Sequence, residues 1–302
     1  MMKQIKLFDP YTDKFEKIAI NRVLESNFWA SGSGNNNVKK FEERFSKYVN
    51  SKSSIAVNSG TAALNLALSM YDIKNKEVIL PSLSFVATAN AILENGGIPK
   101  FADIDENTLC IDPKKISKLI SKKTKVILPV HFGGISSDLT KISKLCKNNK
   151  IKLIEDAAHA AGTSYKNNKI GSHGDLVCFS FHPVKNLAMP TGGLISINSK
   201  DHKKLSNILK EKRWCGITNR KGADYDVKAI GWNYYMNEFS AAIGLVQLKK
   251  LDNMNNKRKK IAEKYSNEIL LENKMSFDKG CSYHFYWIRV KNREQFREKL
   301  LK

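Results

Sequence analysis

Apolar positions fall into two alternating rhythms over most of the chain, short runs at strand spacing and stripes at helical spacing. Strand-like runs cover Ile55–Val57, Glu77–Leu80, Pro99–Asp103, Lys125–Val130, Ile151–Ile154, Leu176–Phe181 and Gly193–Ile197. Helical spacing covers Asp13–Leu24, Ser84–Glu94, Pro113–Ile120, Asp138–Asn149 and Asp201–Glu211. A further helix, capped near Asn37, places Val38, Phe41, Phe45 and Tyr48 on one stripe. Strands that alternate with helices imply right-handed crossovers and a mostly parallel, helix-covered sheet, an α/β fold. Past it, the spacing predicts a helix from Met236 to Leu251 and a second, Lys/Asn-rich one from Asn253 to about Leu270. Tyr283–Val290 reads as a strand and NREQFREKLLK as an amphipathic tail. This divides the chain into a large domain over 1–250 and a linker helix with a partial small domain over 251–302.

In such sheets ligands gather at the carboxyl ends of the strands, and four chemically suggestive stretches fall there. Asn58-Ser59-Gly60-Thr61 opens an Ala/Leu-rich helix. Free backbone N–H groups, the helix dipole and two hydroxyls make that turn a candidate phosphate cradle, against the plainer reading of an N-capped turn. Phe85 follows the next strand. KLIEDAAHAAG ends a strand on Asp156, with His159 one helical turn beyond if a helix starts there. A carboxylate at a buried strand end can hold a proton on a ring nitrogen; a cap and a surface histidine are the common alternatives. In FSFHPVKNLAM, Pro183 ends a buried strand and Lys185 follows among apolar neighbours. Desolvation lowers a lysine pKa and frees the amine to attack a carbonyl, whereas a single Lys more often snorkels at the surface.

Composition narrows the classes. The 302 residues, 42% hydrophobic and 26% charged, describe a globular protein. The formal charge of +22 is spread along the chain, its densest cluster being Asn255–Lys260, and no aromatic-interleaved basic motif accompanies it. That argues against nucleic acid and for a lysine-rich surface mildly favourable to anionic small substrates. Five scattered cysteines without C-x-x-C point to reduced thiols in a cytoplasm rather than to disulfides or zinc. No run reaches membrane-spanning length. Gly32-Ser33-Gly34 begins like a dinucleotide fingerprint, but position 37 is Asn and no strand leads into it, which disfavours a nicotinamide-dependent oxidoreductase.

Together NSGTAAL, PSLSFVATANAI, IEDAAHAAG, FSFHPVKN and GWNYYMNEFSAAIGLVQL resemble, in order and approximate spacing, the DegT/DnrJ/EryC1/StrS family of nucleotide-sugar aminotransferases. The resemblance implies fold type I of the pyridoxal-phosphate-dependent transferases and pyridoxal 5'-phosphate as cofactor. It implies Lys185 as the lysine that bonds the cofactor and shuttles a proton, and Asp156 as partner of the pyridinium nitrogen. By the same resemblance His159 contacts the phenolic oxygen, Phe85 stacks on the ring, and Ser59, Gly60, Thr61 and Ser180 bind phosphate. Asn233 would reach the phosphate of a neighbouring subunit in a homodimer with shared sites. The implied substrates are an amino acid, glutamate first, and a nucleotide-linked keto-deoxysugar, a 4-keto-6-deoxyhexose ahead of a 3-keto isomer. Arg213, Arg220 and Lys221 are candidate anchors for its diphosphate. Dehydratases of the same fold replace the lysine by histidine, and a non-catalytic cofactor-binding regulator is the alternative from another class. Tyr235 and Thr191 stand where the family commonly has Arg and Glu, and GSGNNN replaces a tighter Gly-Pro turn. The family continues some tens of residues past YWIRV, so the small domain is expected to be incomplete here.

Overall fold

The computed structural model describes residue 6 and residues 9–301. Its nine helices, among the described residues, are α1 (Lys14–Glu25), α2 (Asn36–Val49), α3 (Gly60–Leu68), α4 (Val86–Glu94), α5 (Pro113–Leu119), α6 (Leu139–Asn149), α7 (His202–Arg213), α8 (Glu238–Glu268) and α9 (Arg293–Leu301). The strands are β1 (Ser53–Val57), β2 (Glu77–Pro81), β3 (Ile98–Ala102), β4 (Thr124–Ile127) and β5 (Lys152–Asp156), then a two-residue ribbon of β6 (Ser164–Tyr165) and β7 (Asn168–Lys169). β8 (Leu176–Ser180) and β9 (Gly193–Ile197) complete the main sheet, and β10 (Ile217–Lys221) pairs with β11 (Asp224–Val227) in a hairpin.

Seven strands form one sheet in the order β1-β9-β8-β5-β4-β2-β3. The neighbours from β8 to β3 pair in parallel, and β9 alone runs antiparallel, to β1 on one side and β8 on the other. The reason is local: no helix lies between β8 and β9, and a parallel neighbour requires a crossover long enough to return the chain. The two strands therefore pair directly, Ser180 opposite Gly193, and the intervening loop carries Lys185. β9 is buried along its whole length, as a strand covered on both faces must be.

On one face α3 packs its Ala62, Leu66, Ala67 and Leu68 against the sheet. On the other, the predicted stripe of α2 is realised, with Val38, Phe41 and Phe45 fully buried. Phe45 meets Phe179 edge to face at 4.9 Å and Phe181 at 5.3 Å, an aromatic packing that locks α2 onto β8.

Four expectations differ from what is found. The helix predicted to break near Asp252 runs unbroken for 31 residues as α8, because LKKLDNMNNKRKK holds neither Pro nor Gly, and its one buried asparagine, Asn255, has its amide group paired with Ala161 O and Asn186. Tyr283–Val290 is not a strand. Only Ile288 bridges, to Lys274, while Tyr283 and Trp287 pack with Met275, Cys281 and Leu109 in a satellite cluster. Its alternating bulky residues have no partner strand to pair with. The α2 cap is Asn35 rather than Asn37; the amides of Asn37 and Val38 instead donate to the Glu238 carboxylate of α8, at 2.8 and 3.5 Å. The β10–β11 hairpin was not foreseen. Its loop, Gly222-Ala223, uses a left-handed Gly222 at φ +63°.

Candidate active site

A cavity of about 540 Å³ opens at the carboxyl ends of β1, β2, β5 and β8. The turn Ser59-Gly60-Thr61 lines one side of it. Ser59 caps α3 by accepting from the Ala62 amide at 3.1 Å, so the amides of Gly60 and Thr61, ahead of it, have no intrahelical acceptor. A Cβ at Gly60 would lie 2.7 Å from the Ser180 Cβ. Only glycine lets the turn approach the end of β8 this closely, which brings the Ser180 hydroxyl beside the same amides. Phe85 stands at the N-cap of α4 at the cavity mouth with 72% of its surface exposed, and among the described residues no aromatic or cationic group lies on its ring.

Asp156 sits at the last position of β5, and successive side chains of a strand face opposite ways. Asp156 faces the cavity, while Glu155 points to the other side and bonds the buried His131 Nε2 at 2.8 Å. The Asp156 Oδ2 accepts from Thr88 Oγ1 at 2.9 Å and Oδ1 from the Ala158 amide at 3.1 Å. Burial raises the Asp156 pKa, opposed by those two bonds and by the Lys185 charge. His159 enters on a turn closed by Ala160 N–H to the Ala157 carbonyl, not on the helix the sequence spacing assumed. It still lines the cavity. Burial, then the Lys185 charge, pull its pKa down to about 3, so the ring is neutral. Its Nδ1 accepts from the Gly133 amide at 3.4 Å, which leaves the proton on Nε2.

Lys185 lies in the β8–β9 loop, its amide bonded to the His182 carbonyl at 2.8 Å. It lines the cavity, and burial lowers its pKa against the favourable pull of Asp156. Seven of the sequence-picked residues, Ser59, Gly60, Thr61, Phe85, Asp156, His159 and Ser180, thus share one cavity with Lys185. Asn233 does not: it is exposed, and its carbonyl accepts from Asn58 Nδ2 at 3.2 Å.

Sequence reasoning overlooked Thr88, Phe132 and Phe285, all at the cavity. Thr88 stands three residues after Phe85 and is fully buried; the i, i+3 spacing from Phe85 was a usable signal. Phe132 and Phe285 carried none: Phe132 opens a three-residue 3-10 turn, Phe132–Gly134, and Phe285 reaches the site from a segment without regular structure. Arg213 corrects a different expectation. It is fully buried and gives its guanidinium to Glu42 Oε1 and the Ala56 carbonyl, both at 2.7 Å, and to the carbonyls of Ser33 and Gly32. It is no diphosphate anchor. Arg220 lies over the Trp214 ring at 5.1 Å, and Lys221 is exposed at the hairpin end.

The DegT/DnrJ/EryC1/StrS aminotransferase family matches residues 10–302. The chain belongs to this family. It is 38% identical over 283 residues to the UDP-4-amino-4,6-dideoxy-N-acetyl-beta-L-altrosamine transaminase of Campylobacter jejuni, covering 93% of this chain and 71% of that one. To the Bacillus subtilis spore coat polysaccharide biosynthesis protein SpsC it is 37% identical over 292 residues, 93% of this chain and 74% of the relative. Among solved structures, Helicobacter pylori PseC, an aminotransferase involved in the biosynthesis of pseudoaminic acid, superposes with a TM-score of 0.89 at 31% identity, over 99% of this chain and 81% of PseC. The PLP-form of Streptococcus pneumoniae Spr1654, a putative sugar aminotransferase, gives 0.92 at 26% identity, over 99% and 82%. The α/β fold expected of a type I transferase is therefore the one found, and the chain is an aminotransferase. Among the described residues no helix is long and apolar enough to cross a membrane.

Proposed function

We propose that this aminotransferase moves an amino group from glutamate to the keto carbon of a nucleotide-linked 4-keto-6-deoxyhexose. Its cofactor is pyridoxal 5'-phosphate, and the residues present fit it. The observation that carries the reading is a half-buried lysine and a buried aspartate facing one cavity with the open amides of a helix N-terminus. When bound, the cofactor supplies an electron sink for bond changes at the amino carbon.

The chain's own residues divide the remaining work. The Gly60 and Thr61 amides, with the hydroxyls of Ser59, Thr61 and Ser180, would hold the phosphate where the α3 dipole favours negative charge. Asp156 keeps acceptor capacity on both oxygens beyond its two bonds. It would hold the proton on the ring nitrogen, and that cation would in turn keep its carboxyl ionised against burial. His159 would donate Nε2–H to the phenolic oxygen, and Phe85 would cover one face of the ring. Lys185 Nζ would hold the cofactor and then carry the proton between carbons; burial favours the neutral amine that this requires. Asn233 would serve the site of a second subunit. Exposed Val86 and Leu93 on α4 and Phe101 on the edge strand β3 support a homodimer with shared sites. The five unpaired cysteines favour the cytoplasm.

The deoxysugar acceptor is favoured by the product named for the Campylobacter relative, which carries a 4-amino group. Borohydride reduction of the cofactor-loaded protein, followed by peptide mass mapping, should place the adduct on Lys185. Glutamate supplied with 4-keto and 3-keto nucleotide sugars, with the new amine located by NMR, should give the 4-amino product. An adduct on another lysine would refute the site, a 3-amino product the position. Turnover of free keto acids alone would refute the sugar, and cofactor binding without any turnover would leave a regulator.

Thr88→Val should keep the shape of the helix and remove one bond to the Asp156 carboxylate. A hydrogen bond to a charged group contributes about 1.5–3 kcal/mol. Equilibrium dialysis should show cofactor binding weakened by about 10-fold or more, and unchanged binding would mean Thr88 does not orient Asp156.

A further inference from the structure

His284, from a segment with no regular structure, stacks on His159 with ring centroids 4.4 Å apart and planes 23° off parallel. Phe132 and Phe285 meet the His159 ring edge-on at 6.1 and 5.3 Å, so its orientation is closed by aromatic rings as well as by the Gly133 amide. The segment is strapped down beside the site. The His284 amide donates to the Gly133 carbonyl at 2.9 Å, and Ser282 Oγ lies between Thr163 Oγ1 at 2.8 Å and the His159 carbonyl at 3.3 Å. Gly133 and Gly134 have φ of +64° and +97°, and a Cβ on Gly134 would meet Ser282 Oγ at 2.9 Å. Only a glycine pair lets the strap lie this close.

Hydrogen bonding also fixes which nitrogen of His284 carries the proton. Asn186, next to Lys185, commits both protons of its amide group, to Ser282 O at 2.8 Å and Asn255 Oδ1 at 2.9 Å. Its Oδ1 therefore can only accept, and at 3.3 Å from His284 Nδ1 it takes the proton of that nitrogen. The stack thus pairs an Nε2–H ring, His159, with an Nδ1–H ring, His284.

We propose that His284 is a positioning residue for His159: its stacked ring, tied through Asn186 to the lysine loop, fixes the plane that keeps His159 Nδ1 on the Gly133 amide, and through that bond the tautomer in which His159 faces the cofactor. The inference rests on the role given to His159 above. Both rings are kept neutral by their surroundings. Burial leads in each case, joined at His159 by the Lys185 charge and at His284 by His159, Lys185 and Arg258. Opening one face of His159 to water would relieve the largest of these effects and let both tautomers form.

The test uses protein carrying 15N in its six histidines, with the His159 signals assigned by their loss in His159→Gln. In the unmodified protein His159 should show a neutral Nε2–H ring that does not titrate between pH 5.5 and 8. His284→Ala should give a mixture of tautomers and raise the His159 pKa by at least about one unit. His284→Phe, which keeps a stacked ring, should leave His159 close to its original state. In cofactor-loaded protein, the pH profile of the visible absorption should move in the alanine variant and not in the phenylalanine one. Should His284→Ala fail to fold, His284→Gln carries the same expectation at nearly the original volume. Unchanged His159 signals in the alanine or glutamine variant would overturn the proposal. A protein that takes up no cofactor would instead defeat the reading of the site, and the histidine spectra of the unloaded chain would still decide this one.

Discussion

Lys185→Ala should abolish amino transfer, by more than about 10⁴-fold, since one amine both holds the cofactor and moves the proton. The protein itself should not suffer. Among the described residues the Lys185 side chain makes no hydrogen bond or ion pair, and burial already disfavours its charge. Its removal relieves a desolvation cost, so the melting temperature without cofactor should hold or rise. The loop is anchored independently, by the Ser180–Gly193 register and by Met189 N–H to the Phe181 carbonyl at 2.8 Å. Added small primary amines should restore part of the rate, because the cavity left by the side chain can admit one. Activity within 100-fold of the original would mean that another group does the work. A collapse in thermal stability would mean that the lysine was structural.

The second large effect is on stability. Arg213→Ala should cost about 3–5 kcal/mol in denaturant unfolding, because it leaves Glu42 buried without its cation. Glu42 Oε1 also accepts from the Ala56 amide at 2.8 Å, so the pair joins α2, β1 and α7 at one point. The guanidinium further holds the Gly32–Ser33 carbonyls, and Gly34, at φ +68°, passes so close that a Cβ would lie 2.5 Å from Nη2. Pairing Arg213→Met with Glu42→Gln should recover much of the loss, since a buried charge is costly chiefly when its partner is missing. A loss under about 1 kcal/mol for Arg213→Ala would show that the pair is dispensable.

Legibility in the sequence followed the range of the forces involved. Strand and helix periods are local, so the seven-stranded sheet and its helices were readable from apolar spacing. Strand ends are local too, which makes Lys185, Asp156 and the Ser59–Thr61 turn legible as candidates from the sequence alone. Arg213 misled because a sequence shows its charge but not its burial; only the meeting of α7 with α2 turns it from a ligand anchor into a core ion. The α2 cap failed for the same reason, its acceptor being Glu238, 201 residues away from Asn37. The strand expected at Tyr283–Val290 had the right alternation and no neighbour to bond. Thr88 was visible by spacing but chemically mute until Asp156 was set opposite it.

The lone antiparallel strand β9 also bears on how the chain is made. β1, next to the N-terminal helices, has a single neighbour in the sheet, and that neighbour is Gly193–Ile197. On a ribosome adding about 5–20 residues each second, β1 waits several seconds or longer for its partner to emerge. Throughout that interval Ile55, Ala56 and Val57 present an unpaired edge. Chaperone dependence during synthesis should therefore concentrate on nascent chains longer than β1 and shorter than β9. Arrest of translation within that window should yield the most aggregation-prone products.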